Sequence, residues 1–469
     1  MKYRFSLERD AYGILKFISD YKPAEKRKQE GKALRKEFPR ESHAEFDPAS
    51  DREDPVSVIQ KSSEGRLDNL IPIRYGRMSK SPFAFLRGSA SLMAMDIATT
   101  ITPDIRVQAC GDCHLSNFGL FATPERNLVF DINDFDETLP APFEWDLKRL
   151  AASFYVVGRN NRYSEKICRN GARICVRSYR EAIAKFASMK TLDVWYAKLD
   201  ADTLIASAAD AETKQRRQMM AEKARSRVAE SLFPKITQVL DGRRYLVDQP
   251  PLLYHPPPEM EVPERLYDGF EAYRETLSYD RRVLLDRYRI EDIAIKVVGV
   301  GSVGTLCGVI LLMAEANDPL LLQLKQANAS VLEPYAGKSE FKHHGERVVT
   351  GQRLMQSASD MLLGWTTGTG EKHRHFYIRQ LRDMKFSIEV EMAIPALMGN
   401  YAQLCGWSLA RAHARSGDAA MISGYLGKTD IFDRAIGTFA QIYADQTEAD
   451  YARFVEAIKS GEIKADMEN

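Results

Sequence analysis

Gly111-Asp112-Cys113-His114-Leu115-Ser116-Asn117-Phe118-Gly119 (GDCHLSNFG) is the stretch on which the reading of this 469-residue chain turns. Asp112 precedes Asn117 by five positions. A phosphoryl-transfer site needs a carboxylate beside the attacking hydroxyl, to orient it and accept its proton, and a nearby amide oxygen to hold magnesium. One aspartate and one asparagine on a single short loop supply both groups. Just upstream, Ile105 to Ala109 (IRVQA) alternates β-branched and polar residues, which predicts a short strand delivering the loop. Before that, Phe83, Leu86, Ala90, Met93 and Ile97 recur at helical spacing and predict one packed helix.

Downstream, Asn127 to Phe130 (NLVF) predicts a second strand, running into the acidic segment FDINDFDE. Its Asp131, Asp134, Asp136 and Glu137 lie 14 to 20 residues beyond Asn117. Magnesium prefers hard oxygen ligands and is usually held by one or two carboxylates together with phosphates. Alone, such a turn would be a set of caps. Paired with the preceding loop it offers Asp131 or Asp134 as a metal ligand beside Asn117.

A third motif lies far away in the chain. Gly299-Val300-Gly301-Ser302-Val303-Gly304 is a GxGxxG, and its context separates two uses. In a dinucleotide-binding fold a helix follows the third glycine and an acidic residue comes about twenty positions later. Here Leu306 to Met313 (LCGVILLM) is strand-like, and Lys325 stands 21 residues after Gly304. A glycine loop between two antiparallel strands, then a strand bearing a lysine, is how kinases cover and clamp nucleotide phosphates. The expected phosphate-binding set is therefore Gly299, Gly301, Ser302, Gly304 and Lys325.

Together these motifs resemble a kinase site. GDCHLSNFG resembles the catalytic loop of aminoglycoside and choline kinases and their protein-kinase relatives, FDINDFDE their metal-binding segment, and Glu144-Trp145-Asp146-Leu147 the helix start that buttresses the loop. The chain, from Arg74-Tyr75-Gly76-Arg77-Met78 through Arg347-Val348-Val349-Thr350-Gly351-Gln352-Arg353 to Ala410-Arg411-Ala412-His413-Ala414-Arg415, also resembles a bacterial family known as domain of unknown function 2252. That likeness names no reaction. The kinase resemblance implies ATP and Mg2+ as cofactors, with Asp112 the catalytic residue, Asn117 and Asp134 or Asp131 metal ligands, and Lys325 the clamp. It leaves Glu333, Glu346 and Gln352 open as the partner of Lys325, and puts Gln380 where kinases read the adenine edge through backbone groups.

The order of motifs departs from kinases: the catalytic and metal segments come first, the glycine loop and lysine some 170 residues later. The resemblance thus implies a circularly permuted, two-lobed α+β fold, which is reasonable because domain termini often lie close together at the surface. Its expected parts are charged helices and loop at 1–69, a helical lobe at 70–249, a proline-rich linker at 250–264, a β-rich nucleotide-covering lobe at 265–385 and C-terminal helices at 386–469. Trp145 to Val157 and Ile167 to Phe186 carry helical periodicity, as do Gly345 to Leu363 and the chain after Ser387, whereas Leu320 to Lys325 and Phe376 to Leu381 read as strands.

Bulk properties narrow the functions. The net charge is +1, so no global field favours nucleic acid or an anionic membrane. Val297 to Ala314 is an uncharged run of 18 residues, but four glycines and many β-branched residues make it a hairpin rather than a span. Charges interrupt the first twenty residues, so export is not expected, and six sparse cysteines suit free thiols in the cytoplasm. The expected activity is phosphoryl transfer to a small-molecule or protein hydroxyl. The alternatives are a nucleotide-binding pseudokinase or regulatory protein and nucleotidyl (AMP) transfer in the same cleft, with a dinucleotide-dependent oxidoreductase behind them. The acceptor is not named by any motif. Arg74, Arg77 and Arg87, in an apolar region, suit either anion binding or buried ion pairs.

Overall fold

Strand Arg106–Ala109 pairs antiparallel with Leu139–Pro142, Ala109 opposite Leu139, so both ends of the segment carrying the loop and the acidic run are tied together. Between them Phe118–Ala122 and Leu128–Ile132 form a hairpin in which Phe118 faces Ile132 and Gly119 faces Asp131. That register brings the residues just outside the hairpin side by side: the Asn133 N–H donates to the Asn117 carbonyl at 2.7 Å. The loop asparagine and the acidic run are thus neighbours because of strand pairing.

The computed structural model describes residues 5–9, 15–19, 22–208, 210–255, 262–297, 299–315, 318–368, 373–381 and 384–467. It is a mixed α+β protein whose sheets are small and antiparallel. Four long helices, Phe143–Asn160, Glu165–Phe186, Pro395–Ser416 and Ile431–Lys459, build the main core around the loop. Glu165–Phe186 and Pro395–Ser416 approach closely because Gly406 has no side chain: a Cβ there would stand 2.2 Å from the Cys175 carbonyl oxygen. Where apolar spacing predicts one helix from Phe83 to Ile97, there are two, Pro82–Gly88 and Ala90–Ile97. Ser89 leaves helical geometry at φ −116° and ψ 39°, and Gly88 makes room for the Met78 side chain at the break.

The larger sheet has six strands in the order Leu253–Tyr254, Arg289–Lys296, Cys307–Met313, Pro319–Ala327, His375–Gln380, Gly364–Thr367. Cys307–Met313 is buried throughout, which explains its uncharged sequence: Ile310 and Leu312 pack against Tyr273, Leu277 and Leu285 on one face, Val309 and Leu311 against Phe233, Ile236 and Leu246 on the other. Among the described residues no helix is long and apolar enough to cross a membrane. The helix expected from Gly345 to Leu363 ends earlier, spanning His344–Met355. In the stretch read as a proline-rich linker, helix Val262–Glu275 already begins, while Pro256, Pro257 and Pro258 lie outside the described residues, as does Asn317 of the turn before Pro319. Within the stretch read as charged helices and loop, a hairpin of Phe5–Arg9 with Leu15–Ser19 comes first, and helices Ala24–Ala33 and Pro55–Lys61 follow it.

Candidate functional site

Gly111 opens the loop at φ 79°, and a Cβ there would lie 2.4 Å from the Glu137 carbonyl oxygen, so the turn needs glycine. Helix Phe143–Asn160 holds the loop from behind: Asp146 accepts the N–H of Cys110 at 2.8 Å and of Gly111 at 3.0 Å. His413, buried, closes this brace with Nε2 3.2 Å from Asp146 and Nδ1 2.9 Å from the Tyr179 hydroxyl. Cys110, Cys113 and Asp146 cluster within 4.8 Å, all buried. Burial pushes both thiols up, Cys113 to about 12, so they remain protonated and the Cys110 thiol donates to Asp146 at 3.3 Å.

From the same helix, buried Arg149 donates Nε to Asp112 Oδ1 at 2.7 Å and Nη2 to the same oxygen. Oδ2 accepts no hydrogen bond from a described residue and has His114 Nε2 3.7 Å away. Burial pushes the His114 imidazole down to about 3, with Asp112 working the other way, so the ring is neutral at ordinary pH. Asn117 donates Nδ2 to the Asp112 carbonyl at 2.8 Å, which leaves its Oδ1 as an acceptor.

The acidic run divides by role. Asp131 is 1% exposed, bonded by Arg411 Nη2 at 2.8 and 2.7 Å, by the Ser357 N–H at 2.7 Å and by the Ile132 N–H at 2.9 Å. Both of its oxygens are thus engaged within the protein, whereas Asp134 lines a cavity. Lys325, 3% exposed, meets Asp136 at 2.6 Å and Asp134 at 3.8 Å. These carboxylates stand where Glu333, Glu346 or Gln352 was expected. Burial works to lower the Lys325 pKa, but Asp134 and Asp136 outweigh it and hold it well above the ordinary lysine value. Burial likewise opposes the Asp134 charge, and Lys325 and Arg379 overcome it, holding that carboxyl below its usual range. The helix carrying Glu346 and Gln352 contributes Arg347 instead, which donates to the carbonyls of Asp136 at 2.8 Å, Thr138 at 2.6 Å and Asn328 at 2.8 Å.

The glycine loop joins two neighbouring strands of the six-stranded sheet and reaches the same place. Gly299 and Gly304 have φ of 71° and 87°, and Ser302 Oγ donates to Asp136 Oδ2 at 3.3 Å. Its carbonyls are gripped from residues 66–77: Arg66 Nη1 donates to Gly301 at 2.8 Å and Val303 at 2.6 Å, Arg77 Nη1 to Gly299 at 2.7 Å, and the Leu67 N–H to Gly304 at 2.7 Å. The N–H groups of Gly301 and Ser302 have no partner among the described residues.

A cavity of about 320 Å³ results, lined at once by Asp112, Asn117 and Asp134 and by Gly299, Gly301 and Ser302, with Arg87 and His114 on a further wall. Gln380 is elsewhere. Its N–H and side-chain amide go to Asp360 at 2.5 and 2.9 Å, and it lines a separate space of about 60 Å³ with Arg379 and Lys385, so its backbone donor is committed within the protein. Arg149, Asp136, Arg347 and Arg411 are the site residues that sequence reasoning missed. Each had a local sign without an assigned role: Arg149 follows Asp146 by three positions in the helix start, Asp136 belongs to the acidic run, and Arg347 and Arg411 lie in stretches that carry the family likeness.

The chain belongs to the family described as "Uncharacterized protein conserved in bacteria (DUF2252)", which matches residues 66–457. No curated protein matches it, and no solved structure does.

Proposed function

We propose that this chain is an ATP- and magnesium-dependent phosphotransferase on a circularly permuted, two-lobed kinase-like fold, with the six-stranded sheet as the nucleotide-covering lobe and the long helices as the catalytic lobe. The observation that carries this reading is the single cavity lined by Asp112, Asn117 and Asp134 together with the glycine loop, although about 180 residues of sequence separate the two sets. The donor chemistry supports it. An amide oxygen and a carboxylate are the hard ligands magnesium prefers, and backbone N–H groups of a glycine loop beside a buried lysine suit phosphate oxygens.

ATP would supply the phosphoryl group, with magnesium neutralising charge between phosphates. Asn117 Oδ1 and Asp134 would hold the metal, and the N–H groups of Gly301 and Ser302 the phosphates. Asp112 Oδ2 would orient the acceptor hydroxyl and take its proton, while Arg149 fixes the other oxygen so that only one faces the acceptor. Lys325 keeps a positive charge beside the metal carboxylate. Asp136 is the point of exchange: Lys325, Tyr377 at 2.6 Å and Ser302 at 3.3 Å all converge on it, and release of this network would free the lysine for a phosphate oxygen.

That convergence also favours a second reading, a nucleotide-binding regulator in which Asp136 holds the lysine and no turnover occurs. Incubating the protein with magnesium and γ- or α-labelled ATP plus a metabolite pool separates the possibilities. Phosphoryl transfer moves only the γ label to an acceptor, nucleotidyl transfer moves the α label, and a regulator moves neither. Asp112→Ala is expected to abolish turnover while nucleotide binding persists. Tight binding of NAD(H) in place of ATP would end the kinase reading.

A further inference from the structure

Three arginines line the cavity, and two are committed. Arg66 holds the glycine loop, and buried Arg74 donates to Ser63 Oγ at 2.7 Å and the Gly88 carbonyl at 2.8 Å. Arg87 is different. It makes no hydrogen bond to a described residue, its Nε is buried without a partner, and its nearest carboxylate is Glu391 at 3.9 Å. Around it the cavity wall holds further unpartnered buried atoms, Ser91 Oγ and His114 Nδ1, and His114 is only 3% exposed. His114 also links this wall to the chemistry, since Arg87 and Asp112 both act on it electrostatically and Asp112 Oδ2 lies 3.7 Å from its ring. Three such atoms on one cavity, beside a guanidinium with no hydrogen bond to a described residue, are a set of polar groups that a bound molecule could satisfy together.

Resting on the phosphotransferase reading, we propose that the acceptor is a small molecule carrying both a hydroxyl and an anionic group, a carboxylate or phosphate, with the anion received by Arg87 and the hydroxyl presented to Asp112. The acceptor is small because the cavity of about 320 Å³ must also admit phosphate oxygens, and its glycine loop is held in place by Arg66, Leu67 and Arg77. It is anionic because Arg87 is the cavity-lining arginine whose guanidinium makes no hydrogen bond to a described residue, its only ion pair among them being the 3.9 Å contact with half-exposed Glu391, and a planar fork of donors matches a carboxylate or phosphate. Lys325, 2.6 Å from Asp136 and 3.8 Å from Asp134, offsets one of the two negative charges of this carboxylate pair, and magnesium would offset the other.

Calorimetric titration of the full chain, saturated with magnesium and a non-hydrolysable ATP analogue, tests this with D-glycerate and glycerol 3-phosphate as anionic probes, glycerol as the neutral one and choline as the cationic one. The expected result is binding of an anionic probe at least about 10-fold tighter than glycerol or choline, lost by about 10-fold or more in Arg87→Gln and partly kept in Arg87→Lys, with analogue affinity unchanged in both. Equal affinity for glycerol or choline, undiminished anion binding in Arg87→Gln, or no binding of any probe by a nucleotide-saturated chain would each overturn it. Failure of the analogue to bind is a separate outcome. It would sink the phosphotransferase reading, while Arg87-dependent binding of an anion would still stand or fall on its own.

Discussion

Asp131 and Asp134 are three residues apart and have opposite fates. Asp131 lies in a strand with its partner Arg411, both 1% exposed, whereas Asp134 lies in the loop beyond and faces the cavity. Arg411→Met would strand a buried carboxylate and is expected to cost about 3 to 5 kcal/mol of stability, read as a lowered denaturant midpoint. Asp134→Asn is expected to leave the midpoint nearly unchanged and to remove the magnesium dependence of nucleotide binding. If the two phenotypes were exchanged, the assignment of metal ligand and structural anion would be reversed. Residue types and spacing made Asp112, Asn117 and Asp134 legible, because five positions on one loop fix a local geometry. The choice between Asp131 and Asp134 was not legible. It depends on which residue Arg411 reaches, 280 positions away. The partner of Lys325 was hidden for the same reason, since Asp136 arrives 189 residues earlier in the chain.

At the scale of elements, strand and helix types followed from periodicity, and the errors fell where a single residue breaks a pattern, as Ser89 does in the expected Phe83 to Ile97 helix. Register, not composition, places Asn117 beside the acidic run. Gly119 pairs with Asp131, and a Cβ on Gly119 would come within 2.4 Å of the Phe386 carbonyl oxygen and 2.7 Å of Asn133 Nδ2. Gly119→Ala must therefore displace the hairpin or Asn133, and the expected outcome is weaker magnesium-dependent binding with a stability loss of about 1 to 3 kcal/mol. Wild-type metal affinity in that variant would show that the hairpin does not set the ligand positions.

A second element-scale device is electrostatic. His255 bridges Asp292 at 3.0 Å and Asp248 at 2.7 Å, tying the segment after strand Arg243–Leu246 to the six-stranded sheet. The hydrogen bond donated to the Asp292 carboxylate, with burial opposing it, raises the imidazole pKa to about 9. Because the folded value lies above the ordinary histidine value, the stabilisation is complete below about pH 6.5 and is lost as pH rises through about 9. The melting temperature of the wild type relative to His255→Gln is expected to converge across that window. A constant difference from pH 6 to 10 would show that the bridge carries no proton-linked stability.

For the whole molecule, the motif order was plain in the sequence, but what brings the halves together was not. Arg66 and Arg77, neither of which the sequence tied to the glycine loop, hold that loop, and Arg347 holds the acidic run. These contacts join residues more than 200 positions apart and leave no periodic trace. They are also where the family match begins, at residue 66, so the part of the chain that closes the cavity lies within the family's shared extent.

If two distant stretches of sequence form one nucleotide site, affinity for ATP must depend on residues from both. Calorimetry of the full-length chain, with and without magnesium, is to be run on the wild type and on Lys325→Met, Asp134→Asn and Asp112→Ala. The account predicts magnesium-dependent binding of ATP, weakened about 10-fold or more by the first two substitutions, one from each half, and nearly unchanged by the third. ATP affinity indifferent to magnesium and to both Lys325→Met and Asp134→Asn would contradict it.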